Sequence, residues 1–227
     1  MKKAIISVFL SLILVLSMFS CGDDDDDGDN TGTGSGTAEN WIPLANGNKW
    51  TLEGSVTDNS IKTTVTSVTT IIGDTTFADK GSVKYGERSN HIVSVREMIN
   101  DTISDTTEVF RIYASKTDDY YEFGFVDTTD EIHWVRIIKL PAKVDDNWQS
   151  DPDDNTSHAQ TMRFEDISTP KGDFKGCVVI DNYYKNQYNE YTSPTTWYSK
   201  DIGTVRTQFE IRDDLPIILD LIDYKLY

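Results

Sequence analysis

Short runs of β-branched and aromatic residues, separated by turn-forming residues, occupy the chain from Trp41 to Tyr227. The clearest run, Val205–Arg212, has two alternating sides: Val205, Thr207, Phe209 and Ile211 against Arg206, Gln208, Glu210 and Arg212. A period of two gives a strand one buried face and one solvated face. Helical periodicity is almost absent from the chain, so the sequence predicts an all-β fold.

The predicted strands are numerous, short and spaced by turns. They are Lys49–Thr57, Ile61–Ile72, Ser82–Tyr85, Ile92–Ile99, Val109–Ser115, Tyr121–Phe125, Ile132–Leu140, Ala159–Phe164, Cys177–Tyr184, Thr196–Ser199, Val205–Arg212 and Ile217–Lys225. The predicted turns are Asn46–Asn48, Gly73–Asp74, Asp118–Asp119, Asp127–Asp130, Asp151–Asn155 and Asp213–Asp214. This order favours an antiparallel meander that curls over its apolar face into a barrel or half-barrel.

Two alternatives to the barrel remain, a β-sandwich and a pair of β-lobes. The lobes are suggested by a repeated spacing, because Pro43–Trp50 and Pro141–Trp148 both place a tryptophan seven positions after a proline. Such lobes would meet near Leu140–Asp146.

The first 20 residues have the pattern of a signal peptide. Lys2 and Lys3 precede the uncharged run Ala4–Phe19. At about 16 residues this run is shorter than the roughly 20 needed to span a bilayer. We expect residues 1–20 to be removed on export.

Met18–Cys21 resembles the bacterial lipoprotein signal, in which the cysteine is acylated and becomes the first mature residue. The resemblance implies palmitate on Cys21 and an anchor in the outer membrane. The acidic run Asp23–Asp27 resembles the export tag of surface lipoproteins in Bacteroides-like bacteria, which implies a cell-surface location. The alternatives are a secreted protein with an incidental cysteine, and an acidic tether that only holds the domain off the membrane.

Composition divides the remainder into residues 21–40, a predicted flexible acidic tether, and residues 41–227, a predicted globular domain. The net charge of −17 disfavours nucleic acid and anionic lipid headgroups as partners. We therefore expect contact with the membrane through the lipid alone. With Cys21 acylated, Cys177 has no disulfide partner, and we expect it to be a small buried apolar residue.

Three further segments resemble motifs of uncharacterised surface lipoproteins from Bacteroides-like bacteria. Trp41–Trp50 is similar to their Pro-Leu-x-x-Gly-Asn-x-Trp opening, and Thr169–Cys177 contains their Pro-x-Gly-x-Phe turn. Trp197–Val205 is similar to their Tyr-Tyr-x-x-x-x-Gly-x-Val hairpin, with tryptophan in place of the first tyrosine. The resemblance implies an all-β lipoprotein, distantly like the half-barrels that carry lipoproteins across the periplasm, and it implies no catalytic residue.

The residues that could carry chemistry form no reactive pattern. His91, His133 and His158 each lack a second ligand type at metal spacing, and Asp151–Ser157 lacks the glycine and glutamate of a calcium loop. We therefore predict no cofactor, no metal site and no enzyme activity. A glycoside hydrolase, which needs only two carboxylates across a cleft, is the least supported interpretation.

Four Asp-Thr pairs resemble the O-glycosylation acceptor of exported proteins in Bacteroides-like bacteria. The acceptor threonines would be Thr75, Thr102, Thr106 and Thr128. The alternative is that Asp-Thr pairs mark turns and strand ends.

Two functions of different class are left open. In the first, a non-catalytic binding or scaffold module holds an apolar small molecule against Tyr121, Phe123, Phe125 and Trp134. The alternative for these rings is an ordinary core.

In the second, a surface glycan-binding lipoprotein stacks sugars on Trp41, Trp148, Trp197 and the stretch Tyr183–Tyr191. The sequence predicts neither the identity of the ligand nor an oligomeric state.

Overall fold

The computed structural model describes residues 39–97, 99, 101–126, 131–185, 191–212 and 215–227. This part of the chain contains β-strands and no helix, and so no helix in it is long and apolar enough to cross a membrane. The strands are β1 (Lys49–Asp58), β2 (Ile61–Phe77), β3 (Gly81–Arg96), β4 (Asp101–Lys116), β5 (Tyr120–Val126), β6 (Ile132–Lys139), β7 (Asn147–Trp148), β8 (His158–Thr169), β9 (Gly172–Lys185), β10 (Tyr191–Thr192), β11 (Thr195–Ser199), β12 (Gly203–Arg212) and β13 (Leu215–Lys225).

One antiparallel sheet contains these strands, in the order β6-β5-β4-β3-β2-β1-β13-β12-β11-β9-β8-β7, with β10 paired to β9. Strands that follow each other in the chain are mostly neighbours in the sheet, as in a meander. The first and last long strands also pair, with Lys49 opposite Lys225. The predicted all-β antiparallel class is confirmed.

The two ends of this strand order, β6 and β7, meet and nearly close the sheet into a barrel. The backbone N–H of Arg136 donates to the Ser150 carbonyl at 2.6 Å, and Trp148 Nε1 donates to the Arg136 carbonyl at 2.9 Å. His133 Nε2 lies within hydrogen-bonding distance of Asp151 Oδ2 beside them. The predicted barrel is confirmed, and Leu140–Asp146 is the connection between β6 and β7 rather than a boundary between lobes.

Inward-facing side chains of the strands pack inside the barrel. On β12, Val205, Thr207 and Phe209 are buried, as the alternation predicted. Ile217 and Leu219 on β13 lie opposite β12 and are buried too. The apolar face of the sheet therefore packs against itself across the barrel.

The predicted turn at Gly73–Asp74 is wrong, because both residues lie inside β2. A β-bulge between Ile71 and Gly73 absorbs the irregularity, so the strand continues to Phe77. Its partner β3 likewise joins two segments that the sequence separated, Ser82–Tyr85 and Ile92–Ile99, into one strand that ends at Arg96.

Candidate functional site

Tyr121, Phe123 and Phe125, three of the candidate ligand-binding residues, form a row on β5 inside the barrel. Their side chains are 0–1% exposed. The Tyr121 hydroxyl donates to the Glu39 carbonyl at 3.2 Å, which ties this row to the start of the domain. The structure brings the three rings together, and it places them within the packed interior.

Trp134, the fourth candidate for an apolar ligand, and Trp197, also predicted as a weak ligand-binding residue, lie away from that row. Trp134 is opposite Gly124 in the sheet, packs edge-on to Phe77 at 6.1 Å and lies under the Lys80 ammonium at 4.9 Å. Trp197 is 7% exposed. The five candidates therefore do not form one site.

The tryptophans proposed to stack on sugars are covered by the fold. Trp41 and Trp148 are each 6% exposed, and Trp197 donates its indole N–H to Glu165. Tyr184 is buried as well, while residues 186–190 of the tyrosine-rich stretch lie outside the described residues. Glycan stacking on these rings therefore has no exposed platform among the described side chains.

A buried arginine inside the barrel was not predicted from the sequence. Arg88 on β3 is 1% exposed, and its Nε donates to Thr69 Oγ1 at 2.9 Å. Its guanidinium lies 6.0 Å from the Phe123 ring centre. Burial lowers the pKa of Arg88 to about 10, so the side chain is still charged at neutral pH.

Two tyrosines share this interior with the arginine. Burial raises the pKa of Tyr184 and of Tyr198 well above the usual 10, and the nearby Arg88 charge partly offsets that rise. Both phenols are therefore uncharged in the folded protein at neutral pH.

Other polar side chains extend this buried region along β3, β8, β9 and β12. Both amide atoms of Asn182, together with Asn90 Oδ1, Thr161 Oγ1 and Thr204 Oγ1, have no hydrogen-bond partner among the described residues. A buried polar group without a partner costs free energy. The barrel interior thus combines apolar side chains with a set of buried polar ones.

Asp151 and Asp154, two of the carboxylates compared with a calcium loop, are engaged by neighbouring protein groups. Asp151 is fully buried; its Oδ1 accepts from the Asp153 N–H at 2.9 Å, and its Oδ2 faces His133. Asp154 Oδ1 accepts from the N–H and the hydroxyl of Thr156. Within the described ranges, no three His, Cys, Asp or Glu side chains converge in a group that could hold a metal ion.

Glu122 is a second buried carboxylate that the sequence did not single out. It lies on the outer face of β5, 5% exposed, between the Lys80 ammonium and Arg136 Nε at 3.6 Å. Lys80 belongs to the turn between β2 and β3, and Arg136 belongs to β6. The carboxylate therefore fastens that hairpin to the barrel wall.

Cys177 is buried on β9, as predicted. Burial raises the pKa of its thiol to about 11, so the nucleophilic thiolate is scarce at neutral pH. The residue has the environment of a structural cysteine.

The predicted modification sites fall in different settings. Thr102 and Thr106 are exposed on β4, and Thr75 is half-buried on β2. Thr128 and the lipidation candidate Cys21 lie outside the described residues.

Comparisons with known proteins give a likeness in fold alone. No protein-family model matches the chain, and no curated protein matches it. A structure of a protein from Parabacteroides distasonis, proposed to be a lipoprotein, is 14% identical with a TM-score of 0.43, over 82% of this chain and 99% of that one. A structure of a protein from Bacteroides fragilis, proposed to be exported and to have a YmcC-like fold, is 13% identical with the same TM-score and coverage. At TM-scores below 0.5, neither likeness supports a conclusion about ligand or location.

Proposed function

We propose that this chain is an exported lipoprotein, anchored in the outer membrane through Cys21, whose barrel acts by binding or contact and not by catalysis. In this account the barrel is a rigid module, and its partners meet it at the outer surface or the ends.

The observation that carries the proposal is the filled interior. Ligand pockets usually offer about 300–1,000 Å³ to a small molecule. Here Phe123, Val178 and Leu219, from separate parts of the sheet, are all 0% exposed. An apolar ligand would reach these side chains only by displacing them, so contact through the surface is the better supported mode.

The buried ionisable groups support a non-catalytic role. Glu122 is held by Lys80, and Asp151 faces His133 across the closure of the sheet. Each contact joins segments of the chain that lie apart in the sequence, which gives each pair a structural role in the barrel.

Lipid anchoring is tested by metabolic labelling with radioactive palmitate in a bacterial host. We expect label on the full-length chain and none on the Cys21→Ser variant, which serves as the matched control. Absence of label on the unsubstituted protein would refute the proposed lipid anchor at Cys21.

The binding mode is tested by solvent extraction of the mature protein, followed by mass spectrometry of the extract. We expect no amphiphile in molar proportion to the protein beyond its covalent lipid. A stoichiometric non-covalent lipid would contradict the filled barrel and favour a carrier.

A further inference from the structure

Strand β4 is paired on one side along most of its length but on the other side only near its end. On the first side it pairs with β3 from Asp101 to Ala114. On the second side it pairs with β5 only from Ile112 to Lys116. Within the described residues, no strand therefore pairs with that second side over Asp101–Arg111. We call Asp101–Arg111 the β4 edge.

The side chains of the β4 edge are largely exposed. Val109 is 61% exposed, and Thr106 and Thr107 are exposed beside it. The unpaired backbone groups of such an edge are a template for a further strand. The carboxylates of Asp105 and Glu108 oppose pairing with most strands, so a suitable partner must place polar, uncharged groups opposite both of them.

A second copy of this chain does so when the two β4 edges pair antiparallel about a two-fold axis at Thr106. Each Asp105 then lies opposite the Thr107 of the second copy. Each Glu108 lies opposite the second copy's Ser104. Both carboxylates therefore face hydroxyl groups, which can donate hydrogen bonds to them across the ladder.

Two further features of the β4 edge fit this register. Val109 lies opposite the second copy's Ile103, so an exposed apolar side chain gains an apolar neighbour. Glu108 Oε2 is buried and has no hydrogen-bond partner among the described residues. The second copy's Ser104 hydroxyl is a donor for that oxygen.

Neighbouring registers with the same faces aligned lose these pairings. A two-fold axis at Asp105 or at Glu108 sets like charges directly opposite each other, which is destabilising. An axis at Thr107 sets the Asp105 carboxylate against Val109. The charges of the strand therefore favour the axis at Thr106.

We propose that the protein forms a homodimer in which the β4 edges of two copies pair antiparallel, with Thr106 on the two-fold axis. The dimer names a partner for the proposed contact function and rests on that function. A single strand edge buries less than the roughly 1,600 Å² of a standard interface, so the association is weak and forms at high protein concentration.

Disulfide cross-linking of the mature protein, at about 100 µM in mild detergent, tests both the pairing and its register. The two variants are Thr106→Cys and Thr102→Cys, a matched pair because both replace an exposed threonine of β4. In the proposed dimer the two Cα atoms of residue 106 lie about 4.5–5.5 Å apart, within reach of a disulfide. The two Cα atoms of residue 102 are displaced by roughly 27 Å along the strands. Cys177 is buried and does not compete.

We expect mild oxidation to convert most of the Thr106→Cys protein to a covalent dimer on a non-reducing gel, with a yield at least tenfold lower for Thr102→Cys. Similar yields for the two variants, or no dimer of either, would refute the pairing and leave the lipid anchor and the filled barrel unaffected.

A second substitution tests the same interface through its apolar pair. Val109→Asp, added to Thr106→Cys, removes the contact with Ile103 and adds a negative charge to the edge. We expect the yield of covalent dimer to fall at least fivefold, and an unchanged yield would count against the proposed register.

Discussion

Three ionisable side chains lie buried inside the barrel, those of Arg88, Tyr184 and Tyr198. From the sequence, Arg88–His91 offers a polar residue at every position, so no alternation reveals which side faces inward. The structure places Arg88 and Asn90 inside, because their register partners Thr69 and Ser67 on β2 are also inside. The inward direction of Arg88 depends on strand pairing and could not be predicted locally.

We expect the free energy of unfolding to fall as pH rises above 10. The raised pKa values of Tyr184 and Tyr198 give a stability that is complete below pH 10 and is lost as pH approaches the folded-state values. Arg88 acts in the opposite sense above about pH 10, because burial lowers its folded-state pKa. Because two tyrosines lower the free energy of unfolding in this range and one arginine raises it, the net effect is a lower free energy of unfolding.

Urea unfolding at pH 9, 10 and 11 measures this loss. The Tyr184→Phe and Tyr198→Phe variants should each lose less stability over that interval than the unsubstituted protein, since phenylalanine does not titrate. A variant whose decline is as steep as that of the unsubstituted protein would refute the assignment.

Cys177 should be inert in the folded protein. Its thiol is buried with a pKa raised to about 11, so we expect reaction with a thiol reagent at pH 8 to be at least 100-fold slower than in urea. The measurement is the rate of colour release from an aromatic disulfide, with the urea-unfolded chain as the control. Rapid stoichiometric reaction of the native protein would argue against a structural cysteine.

At the scale of elements, the strands with strict alternation were predictable and the long hairpin was not. Val205–Arg212 and Lys49–Thr57 coincide with β12 and β1 to within two residues at each end. The β2–β3 hairpin was predicted as shorter pieces, because Gly73–Asp74 is typical of a turn while the structure uses a bulge there. β6 and β7 follow each other in the chain but lie at opposite ends of the strand order. Their closure therefore depends on how the whole sheet curls, and the sequence predicted only that a barrel was possible.

The close approach of β1 to β13 gives a prediction for Gly54. A Cβ at this position would lie 1.9 Å from the Ile218 carbonyl oxygen, so Gly54→Ala should destabilise the barrel by about 1–3 kcal/mol. Gly73→Ala is the matched control, because its Cβ would meet only the Tyr85 ring at 3.0 Å. Urea unfolding should give a clearly larger loss for Gly54→Ala, and equal losses would contradict this packing.

At the scale of the whole molecule, charge dominates the surface. The chain has 38 acidic and 21 basic residues, so the folded state repels itself at low ionic strength. We expect the melting temperature to rise by about 2–4 °C between 10 mM and 500 mM sodium chloride, equivalent to about 1 kcal/mol for a chain of this length. Scanning calorimetry measures the shift, and a fall in melting temperature would show that attractive surface ion pairs outweigh the repulsion.

The proposed protein has two defining features, a lipid anchor at Cys21 and a barrel filled by its own side chains. Native mass spectrometry of the mature protein, purified from bacterial membranes in mild detergent, tests both parts at once. The account predicts the mass of the chain from Cys21 to Tyr227 plus its covalent acyl groups, with no further non-covalent species. A chain without acyl mass, or one that carries a stoichiometric bound amphiphile, would contradict it.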